Sequence, residues 1–378
     1  LNASNRDGKM MDYITTSNLY WDRFDLSVVK QMLFTEEELW RCTAKKGDLL
    51  ICEGGDIGRA AIWNYDYDIR IQNHIHRLRG YKGINHRFYY FVFLLYKLSN
   101  RIGGKGVAIQ GLSSGDLHKL EVPLPPEYEQ IRLVKTIEKW FKFVDLLEQE
   151  QENLHTLAQS TKSKILDLAI SGKLVPRDTN DEPAIELLKR INPDYKPCDN
   201  SHYGNLPQGW TIVGLHSVAD IITGCTPSKL NAEYYNGDVP FYKPNDLDQG
   251  RHVRCASEYL SQQGKSISRS IPCNSIAVCC IGSIGKCGFI EKEGVTNQQI
   301  NTIVPNDAIF PLFMYYFCNS STFIDELKSL SSAVTISIVN KSKLSTIQIP
   351  LPPIAEQKRI ISVIEKLYSH LDMITAEL

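Results

Sequence analysis

The chain has 378 residues, of which 43% are hydrophobic and 22% charged, and this balance predicts a globular protein of two or three domains. The net charge of −1 neither supports nor excludes a nucleic-acid partner, because basic faces can be offset by acidic ones. No apolar run approaches the roughly 18 residues of a membrane-spanning helix, so no membrane partner is expected. Ten cysteines without a C-x-x-C pair predict buried reduced thiols, not disulfides or zinc, and hence a cytoplasmic protein.

The first predicted elements are β-strands. The segment "KKGDLLICEGGDIGRAAIW" (45–63) has short apolar runs broken by glycine, which is typical of strands joined by tight turns. The segment "QNHIHRL" (72–78) alternates polar and apolar residues. Gln72, His74 and His76 are therefore expected to share one face of a strand.

Helices are predicted next. A short helix is expected over 87–100, followed by a polar and basic loop over 101–117. The "PLPP" at 123–126 closes the β-rich domain, because proline suits a turn or the first position of a helix. A heptad pattern then predicts a helix of roughly 45 residues, about 65 Å long, that ends at Gly172 and Pro176.

The second half of the chain repeats the first. A shift of 227 residues carries the "PLPP" at 123–126 onto that at 350–353, and "DIGR" (56–59) onto "SIGK" (283–286). Repeats of this length indicate two domains and not a solenoid. The sequence therefore predicts two copies of one unit, each a β-rich domain followed by a helix.

Smaller differences in the shift indicate loop insertions. A shift of 225 carries "QNHIHRL" onto "NQQINTI" (297–303), and a shift of 228 carries "DYITTSNL" (12–19) onto "PFYKPNDL" (240–247). The second copy opens with "LPQGWTIVGLHSVADI" (206–221), and its counterpart would begin about 20 residues before Leu1. The first copy is therefore expected to lack its start.

The predicted fold class is α+β, with two globular domains, mainly β with short helices, each followed by a long helix. Both helices carry apolar residues at heptad spacing, which predicts that they pair with each other as an antiparallel coiled coil. The residues expected to pair are Leu133, Ile137, Trp140, Val144, Leu147 and Leu154 of the first helix, and Ile360, Ile364, Leu367, Leu371 and Ile374 of the second.

This layout resembles the specificity (S) subunits of type I restriction–modification enzymes. The resemblance rests on "PLPPEYEQIRLVKTIE" and "PLPPIAEQKRIISVIE", on the connector "ILDLAISGKLVPRDTNDEPAIELLKRI", on the "LPQGW" opening, and on the "GDIG" and "GSIG" turns. Any one motif is weak, but the ordered and duplicated set is specific and spans nearly the whole chain.

The resemblance implies a division into five segments. They are a first target-recognition domain (1–122), a first conserved helix (123–172), a connector (173–205), a second target-recognition domain (206–349) and a short second helix (350–378). It further implies that each domain binds one half of a split sequence in double-stranded DNA, with a spacer set by the helices. The expected protein partners are two modification (methyltransferase) subunits and restriction (translocase–nuclease) subunits. The chain itself would not be catalytic and would need no cofactor.

Candidate DNA contacts follow from side-chain chemistry, because amides pair with adenine and cations with guanine or phosphate. The two copies place different polar residues at matching positions, as two domains with different half-sites would. The candidates are Tyr13, Thr15, Arg59, Gln72, His74, His76, Lys105, Gln110, Ser113, Tyr242, Lys243, Lys286, Asn297, Gln299, Asn301, Thr335, Ser337, Asn340 and Lys341.

Other functions have weaker support in the sequence. "EGGDIG" lacks the spacing and the lysine of a phosphate-binding loop, and "KPND" (243–246) is not the tetrapeptide of a methyltransferase. His74 and His76 have metal-ligand spacing, but Gln299 and Asn301 replace them in the second copy, so no metal site is expected. "GLSSG" (111–115) lacks the strand–turn–helix context of a nucleophile elbow. A scaffold that dimerises through its helices without binding DNA remains the alternative, although a scaffold has no need for two different polar faces.

Overall fold

A computed structural model of the chain describes residues 7–102, 112–196, 206–331 and 338–376. The chain divides into two compact units, Leu1–Gln149 (unit 1) and Glu150–Leu378 (unit 2). Both combine β-sheets with helices, which confirms the predicted α+β class. None of the helices in the described ranges is both long and apolar enough to cross a bilayer.

Unit 1 is rich in short strands. Its strands are β1 (Lys9–Ile14), β2 (Leu19–Tyr20), β3 (Arg23–Phe24), β4 (Lys30–Phe34), β5 (Thr43–Ala44), β6 (Leu49–Cys52), β7 (Ala60–Ile62), β8 (Ile69–Ile71) and β9 (Ile75–Leu78). Its helices are α1 (Glu36–Cys42), α2 (His86–Leu98), α3 (Ser114–Lys119) and the long α4 (Glu127–Ile170), which continues into unit 2. The short helix expected near 87–100 is thus confirmed as α2.

The strands of unit 1 form two main sheets, with strand orders β4-β1-β8-β5 and β7-β6-β9. All four residues of β6 are buried, which explains its continuous apolar run, since a strand covered on both faces does not alternate. Helix α2 covers the second sheet with a mainly aromatic face that includes Phe88 and Phe93. The Asn85 side chain caps this helix by accepting hydrogen bonds from the backbone N–H groups of Arg87 and Phe88.

Unit 2 repeats most elements of unit 1 and contains several more. Its strands are β10 (Thr211–Gly214), β11 (Ala219–Thr223), β12 (Tyr235–Tyr242), β13 (Glu258–Leu260), β14 (Ser270–Ile271), β15 (Ser275–Cys279), β16 (Cys287–Ile290), β17 (Gly294–Thr296), β18 (Ile300–Pro305) and β19 (Gln348–Leu351). Its further helices are α5 (Ala184–Ile191), α6 (Leu215–Val218), α7 (Gln262–Ser266), α8 (Pro311–Cys318), α9 (Ser321–Ser329), α10 (Lys341–Ser345) and α11 (Ile354–Ala376).

The sheets of the two units have the same topology. The order β13-β12-β17-β14 repeats β4-β1-β8-β5, and β16-β15-β18 repeats β7-β6-β9. In each unit one strand pair is parallel, with Ile14 opposite Ile71 in unit 1 and Tyr242 opposite Thr296 in unit 2. Unit 2 adds β11 at the edge of β18 and a small sheet of β10 and β19.

The repeated glutamine after each Pro-Pro pair has a structural role. Gln130 and Gln357 are both fully buried. Gln357 accepts a hydrogen bond from Phe310 N–H at 2.7 Å and donates to the Pro352 carbonyl at 3.0 Å. Gln130 accepts from Asn85 N–H at 2.9 Å and donates to the Pro125 carbonyl at 2.8 Å. Each glutamine therefore fastens the start of the long helix to the loop before the short aromatic helix.

The second half of α4 pairs with α11 in antiparallel fashion. The Tyr368 hydroxyl donates to the Lys162 carbonyl at 3.0 Å, and the Lys162 ammonium forms an ion pair with Asp372. Beyond the end of α4, Asp181 pairs with Arg359 at 2.5 Å, near the start of α11. Residues nearer the C-terminal end of α4 thus contact residues nearer the N-terminus of α11, so the two helices run in opposite directions.

The expected seam differs in the first half of α4. Ile137 packs against the core of unit 1, where Phe141 also stacks on Phe91 with ring centroids 5.9 Å apart. Trp140, Val144 and Leu147 are exposed. The physical reason is that α11 has 23 residues and α4 has 44, so α11 can cover only about half of the longer helix.

The remaining predicted seam residues divide in the same way. Ile360 and Ile364 are buried, and Leu367 and Leu371 pack against the same core of unit 2. Leu133 and Leu154 are 36% and 37% exposed, and Ile374 is 54% exposed. Burial therefore concentrates where α4 and α11 run side by side.

Candidate nucleic-acid interface

Three connections lie together in each unit. We call them the first loop (15–18 and 243–246), the glycine turn (53–58 and 280–285) and the polar turn (72–74 and 297–299). In both units the first loop follows a strand of one sheet, and the glycine turn follows a strand of the other. The polar turn connects the two sheets.

Equivalent hydrogen bonds hold the polar turn in both units. Gln72 N–H donates to the Ile14 carbonyl at 2.9 Å, and Glu53 N–H donates to the His74 carbonyl at 2.9 Å. In unit 2, Asn297 N–H donates to the Tyr242 carbonyl at 3.1 Å, and Cys280 N–H donates to the Gln299 carbonyl at 2.8 Å. The backbone is thus conserved between the copies while the side chains differ.

The first loop is closed by a side chain in each unit. Thr15 N–H donates to Asn18 Oδ1 at 2.9 Å, and Lys243 N–H donates to Asp246 Oδ2 at 2.7 Å. This is the local bond by which Asn and Asp stabilise turns. Asn18 and Asp246 are both buried, so they shape the loop and are not exposed on it.

The glycine turns need glycine for their backbone. Gly58 has a φ of +82° and Gly285 a φ of +90°, a region that side chains with a Cβ rarely adopt. Gly58 N–H donates to the Cys52 carbonyl at 2.9 Å, and Gly285 N–H donates to the Cys279 carbonyl at 3.1 Å. The identical turn explains why this motif recurs in the sequence.

The expected polar strand faces do not form. Gln72 and His74 lie in a turn before β9, and Asn297 and Gln299 lie in a turn before β18. The alternation of polar and apolar residues in these segments was interpreted as one strand. Only the second part of each segment is a strand, and the first part is a turn.

Several candidate residues are buried and have structural partners. Tyr242 is fully buried, its hydroxyl donates to the Lys292 carbonyl at 2.8 Å, and burial raises its pKa. Asn301 is 4% exposed and accepts from the Thr223 hydroxyl at 2.8 Å. Thr15 and Asn297 are also buried. Direct base contact by these side chains would require them to leave the positions described here.

Other candidates remain accessible. The His74 ring is exposed and lies 3.3 Å from the Glu53 carboxylate. His76 instead bonds the Leu112 carbonyl through Nε2 at 2.5 Å. The two rings thus have separate partners, and the described residues contain no cluster of three or more His, Cys, Asp or Glu suited to a metal ion. Gln72, Gln299 and Tyr13 are partly exposed.

Three of the candidate cations have partners within their own units. Arg59 donates through Nη2 to the Thr16 carbonyl at 2.6 Å and lies over the Tyr20 ring at 5.1 Å. Lys286 pairs with Asp248 at 2.7 Å. Lys243 forms an ion pair with Glu258. Arg59 thus contacts the backbone of the first loop.

The polar loops near 113 and 340 end in helix caps. Ser113 Oγ accepts from Asp116 N–H at 3.2 Å at the start of α3, and Asn340 Oδ1 accepts from Lys343 N–H at 2.8 Å at the start of α10. Lys341 is exposed in the first turn of α10. Lys105, Gln110, Thr335 and Ser337 lie outside the described residues.

Besides His74, the three connections carry exposed polar side chains that the sequence analysis missed. They are Ser17 and Asn73 in unit 1, and Asn245, Ser283 and Gln298 in unit 2. Each lies at a turn tip, and the available signal was a short polar run between apolar strands. Amide and hydroxyl groups of this kind are suited to the base edges of the major groove.

A comparison with known protein families gives one description for both copies. The family model described as "Type I restriction modification DNA specificity domain" matches residues 2–156 and again residues 207–378. The two matched segments cover most of the chain and correspond to its two β-rich domains with their helices.

Characterised proteins and solved structures give a consistent result. The specificity subunit of the type I restriction enzyme HindI from Haemophilus influenzae is 31% identical over 227 residues, which are 58% of this chain and 46% of that protein. The EcoBI specificity subunit from Escherichia coli is 23% identical over 299 residues, 77% of this chain and 60% of that protein. The chain thus spans about half the length of the curated relatives that it matches.

The crystal structure of the HsdS subunit from Thermoanaerobacter tengcongensis has the same fold. It superposes with a TM-score of 0.59 at 16% identity, covering 98% of this chain and 85% of that one. At this level of identity the similarity establishes the fold alone.

Proposed function

The chain belongs to the type I restriction modification DNA specificity domain family, and we propose that it is the subunit that recognises DNA sequence in a type I restriction–modification complex. Each unit binds one half of a bipartite target in double-stranded DNA. The chain is not catalytic. It directs modification (methyltransferase) subunits and restriction (translocase–nuclease) subunits, which act on the DNA, and the complex works in the cytoplasm.

The main observation behind this proposal is that the connections of the two units share one backbone conformation but carry different side chains. The polar turn has the same hydrogen bonds in both units, but its exposed tip is Asn73 in unit 1 and Gln298 in unit 2. The tip of the first loop is Ser17 in one and Asn245 in the other. Sites that share a backbone geometry but differ at their exposed tips, in side-chain length at the polar turn and in donor and acceptor groups at the first loop, are suited to two different half-sites.

Selection of DNA from a random-sequence pool, by this chain together with its modification subunit, tests the proposal. We expect two short defined blocks separated by a gap of constant length. Recovery of DNA without sequence preference would contradict the proposal and favour a scaffold role.

Single substitutions then assign blocks to units. Gln298→Ala removes an exposed amide from the polar turn of unit 2 and should cost about 1–3 kcal/mol of discrimination at one or two base pairs of a single block. The matched control is Gln263→Ala, since Gln263 is also exposed in unit 2 but lies on α7. If Gln298→Ala leaves both blocks unchanged, the polar turn does not contact bases.

The conserved helices are proposed to set the gap. A four-residue insertion after Leu154 adds about one helical turn, roughly 5.4 Å, and one or two base pairs at about 3.4 Å each. The gap in the selected DNA should lengthen by one or two base pairs. An unchanged gap would show that the helices do not set its length.

A further inference from the structure

A fourth connection of unit 2 lies beside its polar turn. It joins β11 to β12, and we call its residues 224–231 the side loop. Cys225 N–H donates to the Thr296 carbonyl at 2.9 Å, and Gly224 N–H donates to the Ile300 carbonyl at 3.0 Å. Backbone hydrogen bonds thus fix the side loop to the residues on both sides of the polar turn.

The start of the side loop has no room for a side chain at Gly224. A Cβ at this position would lie 2.1 Å from the Asn297 carbonyl oxygen and 2.5 Å from the Thr296 carbonyl oxygen. The two backbones approach this closely only because residue 224 is glycine. The side loop and the polar turn therefore form one continuous surface.

A side-chain hydrogen bond joins the side loop to the exposed tip of the polar turn. The Thr226 hydroxyl donates to Oε1 of Gln298, and both residues are exposed. Because Thr226 holds the amide oxygen, the amide has a defined orientation, and its NH2 group remains available to donate to a base acceptor.

The far end of the side loop is a tight turn. Asn231 N–H donates to the Ser228 carbonyl at 3.2 Å, which makes Lys229 and Leu230 the two central residues of a β-turn. Leu230 is 95% exposed, so this turn projects into solvent and presents Lys229 there.

Two cations of this region are available to an anionic partner. Lys229 is exposed at the turn, and Arg269 is exposed beside the start of the side loop, where it donates through Nη1 to the Thr223 carbonyl at 3.0 Å. Within the described ranges neither side chain pairs with a carboxylate. In contrast, Lys265 pairs with Glu293 at 2.7 Å.

Lys229 lies near enough to the polar turn to contact the same stretch of DNA. Three residues of chain separate it from Thr226, a span of at most about 11 Å. Phosphates along one strand of a duplex follow each other at about 3.4 Å of helix axis. Lys229 therefore reaches a phosphate within about three base pairs of a base that contacts Gln298.

We propose that the side loop is part of the DNA-binding surface of unit 2. Lys229 and Arg269 bind phosphates that flank the base pair contacted by Gln298, and so fix the register of unit 2 on the duplex. Thr226 is a positioning residue that orients the Gln298 amide toward that base pair. This inference rests on the proposed function, because it assigns further residues to the same interface.

The test measures binding of the selected DNA by the complex of this chain with its modification subunit at several salt concentrations. Lys229→Gln should weaken binding equally for all sequences. It should also reduce the slope of the logarithm of the binding constant against that of the salt concentration by about 0.9, because one phosphate contact is lost. Adding Arg269→Gln should reduce the slope by about 1.8 in total.

The matched control for these variants is Lys292→Gln. Lys292 is exposed between the end of β16 and the start of β17, whereas the glycine turn and the polar turn lie at the opposite ends of these strands. The control should leave the slope unchanged. A slope reduced equally by Lys292→Gln and Lys229→Gln would overturn the phosphate contact, because the effect would then come from net charge.

Thr226→Val separates positioning from phosphate binding. It removes the hydroxyl that holds Gln298 and should lower discrimination at the base pair assigned to Gln298 about fivefold, as for the loss of one hydrogen bond, without changing the salt slope. In the Gln298→Ala background the same substitution should lower discrimination no further.

Failure of this inference differs from failure of the proposed function. If the unsubstituted complex selects two blocks but Lys229→Gln leaves its salt slope unchanged, the phosphate contact is overturned. If Thr226→Val leaves discrimination unchanged, the positioning role is overturned. If the unsubstituted complex binds DNA without sequence preference, the proposed function fails and this inference fails with it.

Discussion

The segments before the two Pro-Pro pairs have similar sequences and different environments. In unit 2 Ile349 and Leu351 lie in a paired strand and are inaccessible, whereas in unit 1 Val122 and Leu124 are exposed. The difference arises from strand β10, which pairs with β19 and has no counterpart among the described residues of unit 1. Similar side chains thus contribute unequally to stability, because their burial depends on what covers them.

The largest expected effect comes from placing a charge at the two equivalent leucines. Leu351→Asp buries an unpaired carboxylate and should destabilise unit 2 by about 4 kcal/mol or more. Leu124→Asp alters an exposed position and should change stability by no more than about 0.5 kcal/mol. Calorimetric unfolding of both variants measures the difference. Equal destabilisation would show that the segment of unit 1 is covered in solution.

The buried glutamines offer a second comparison. Gln357→Ala leaves the Phe310 N–H and the Pro352 carbonyl without their partner and should cost about 3 kcal/mol, at about 1–3 kcal/mol for each unsatisfied group. Gln130→Ala should cost less, because Pro123, Leu124 and Pro126 nearby are exposed and water can replace the lost bonds. Denaturant unfolding followed by circular dichroism separates the two. A greater loss for Gln130→Ala would contradict this explanation.

The two halves of α4 provide a third comparison. Tyr368→Phe removes the hydroxyl that bonds the Lys162 carbonyl where α4 meets α11, and should cost about 1 kcal/mol. Tyr128→Phe, in the exposed first turn of α4, should change the free energy of unfolding by less than about 0.5 kcal/mol. Thermal unfolding of both variants tests this, and equal stability would show that the Tyr368 bond contributes nothing.

The smallest expected effect concerns Glu356 and Glu129, the glutamates that precede the buried glutamines Gln357 and Gln130. Burial raises the pKa of Glu356, and this outweighs the opposing influence of Trp210 and Arg359. The folded state therefore binds the proton more tightly than the unfolded chain does, so the contribution of this carboxyl to stability falls as pH rises from the unfolded pKa, about 4.3, through the raised folded pKa.

Glu356→Gln should thus be slightly more stable than the native protein at pH 7, with the advantage disappearing below about pH 4. Glu129→Gln is the control, since Glu129 is partly exposed and pairs with Arg132 at 3.2 Å. Melting temperatures between pH 4 and pH 7 test this. A gain for Glu356→Gln that persists unchanged at pH 4 would have another cause.

The candidate site was only partly predictable from sequence. The positions of the three connections follow from their glycines and polar runs, and the structure places them together in each unit. The exposed side chains at the turn tips could not be identified from the sequence, because the alternating segments were interpreted as strands although each begins in a turn. Asn297 and Asn301 were therefore proposed for base contact although they are buried, and Gln298 between them was missed.

The sequence by itself determined the duplication, the α+β class, the glycine turns and the long helix, because these depend on local preferences and on spacing along the chain. Tertiary structure decided which apolar rows are covered. The row on α4 has a similar pattern before and after residue 150, but only the second part meets α11. Likewise, Leu124 and Leu351 occupy matching positions, and only the strand paired beside one of them makes it part of a core.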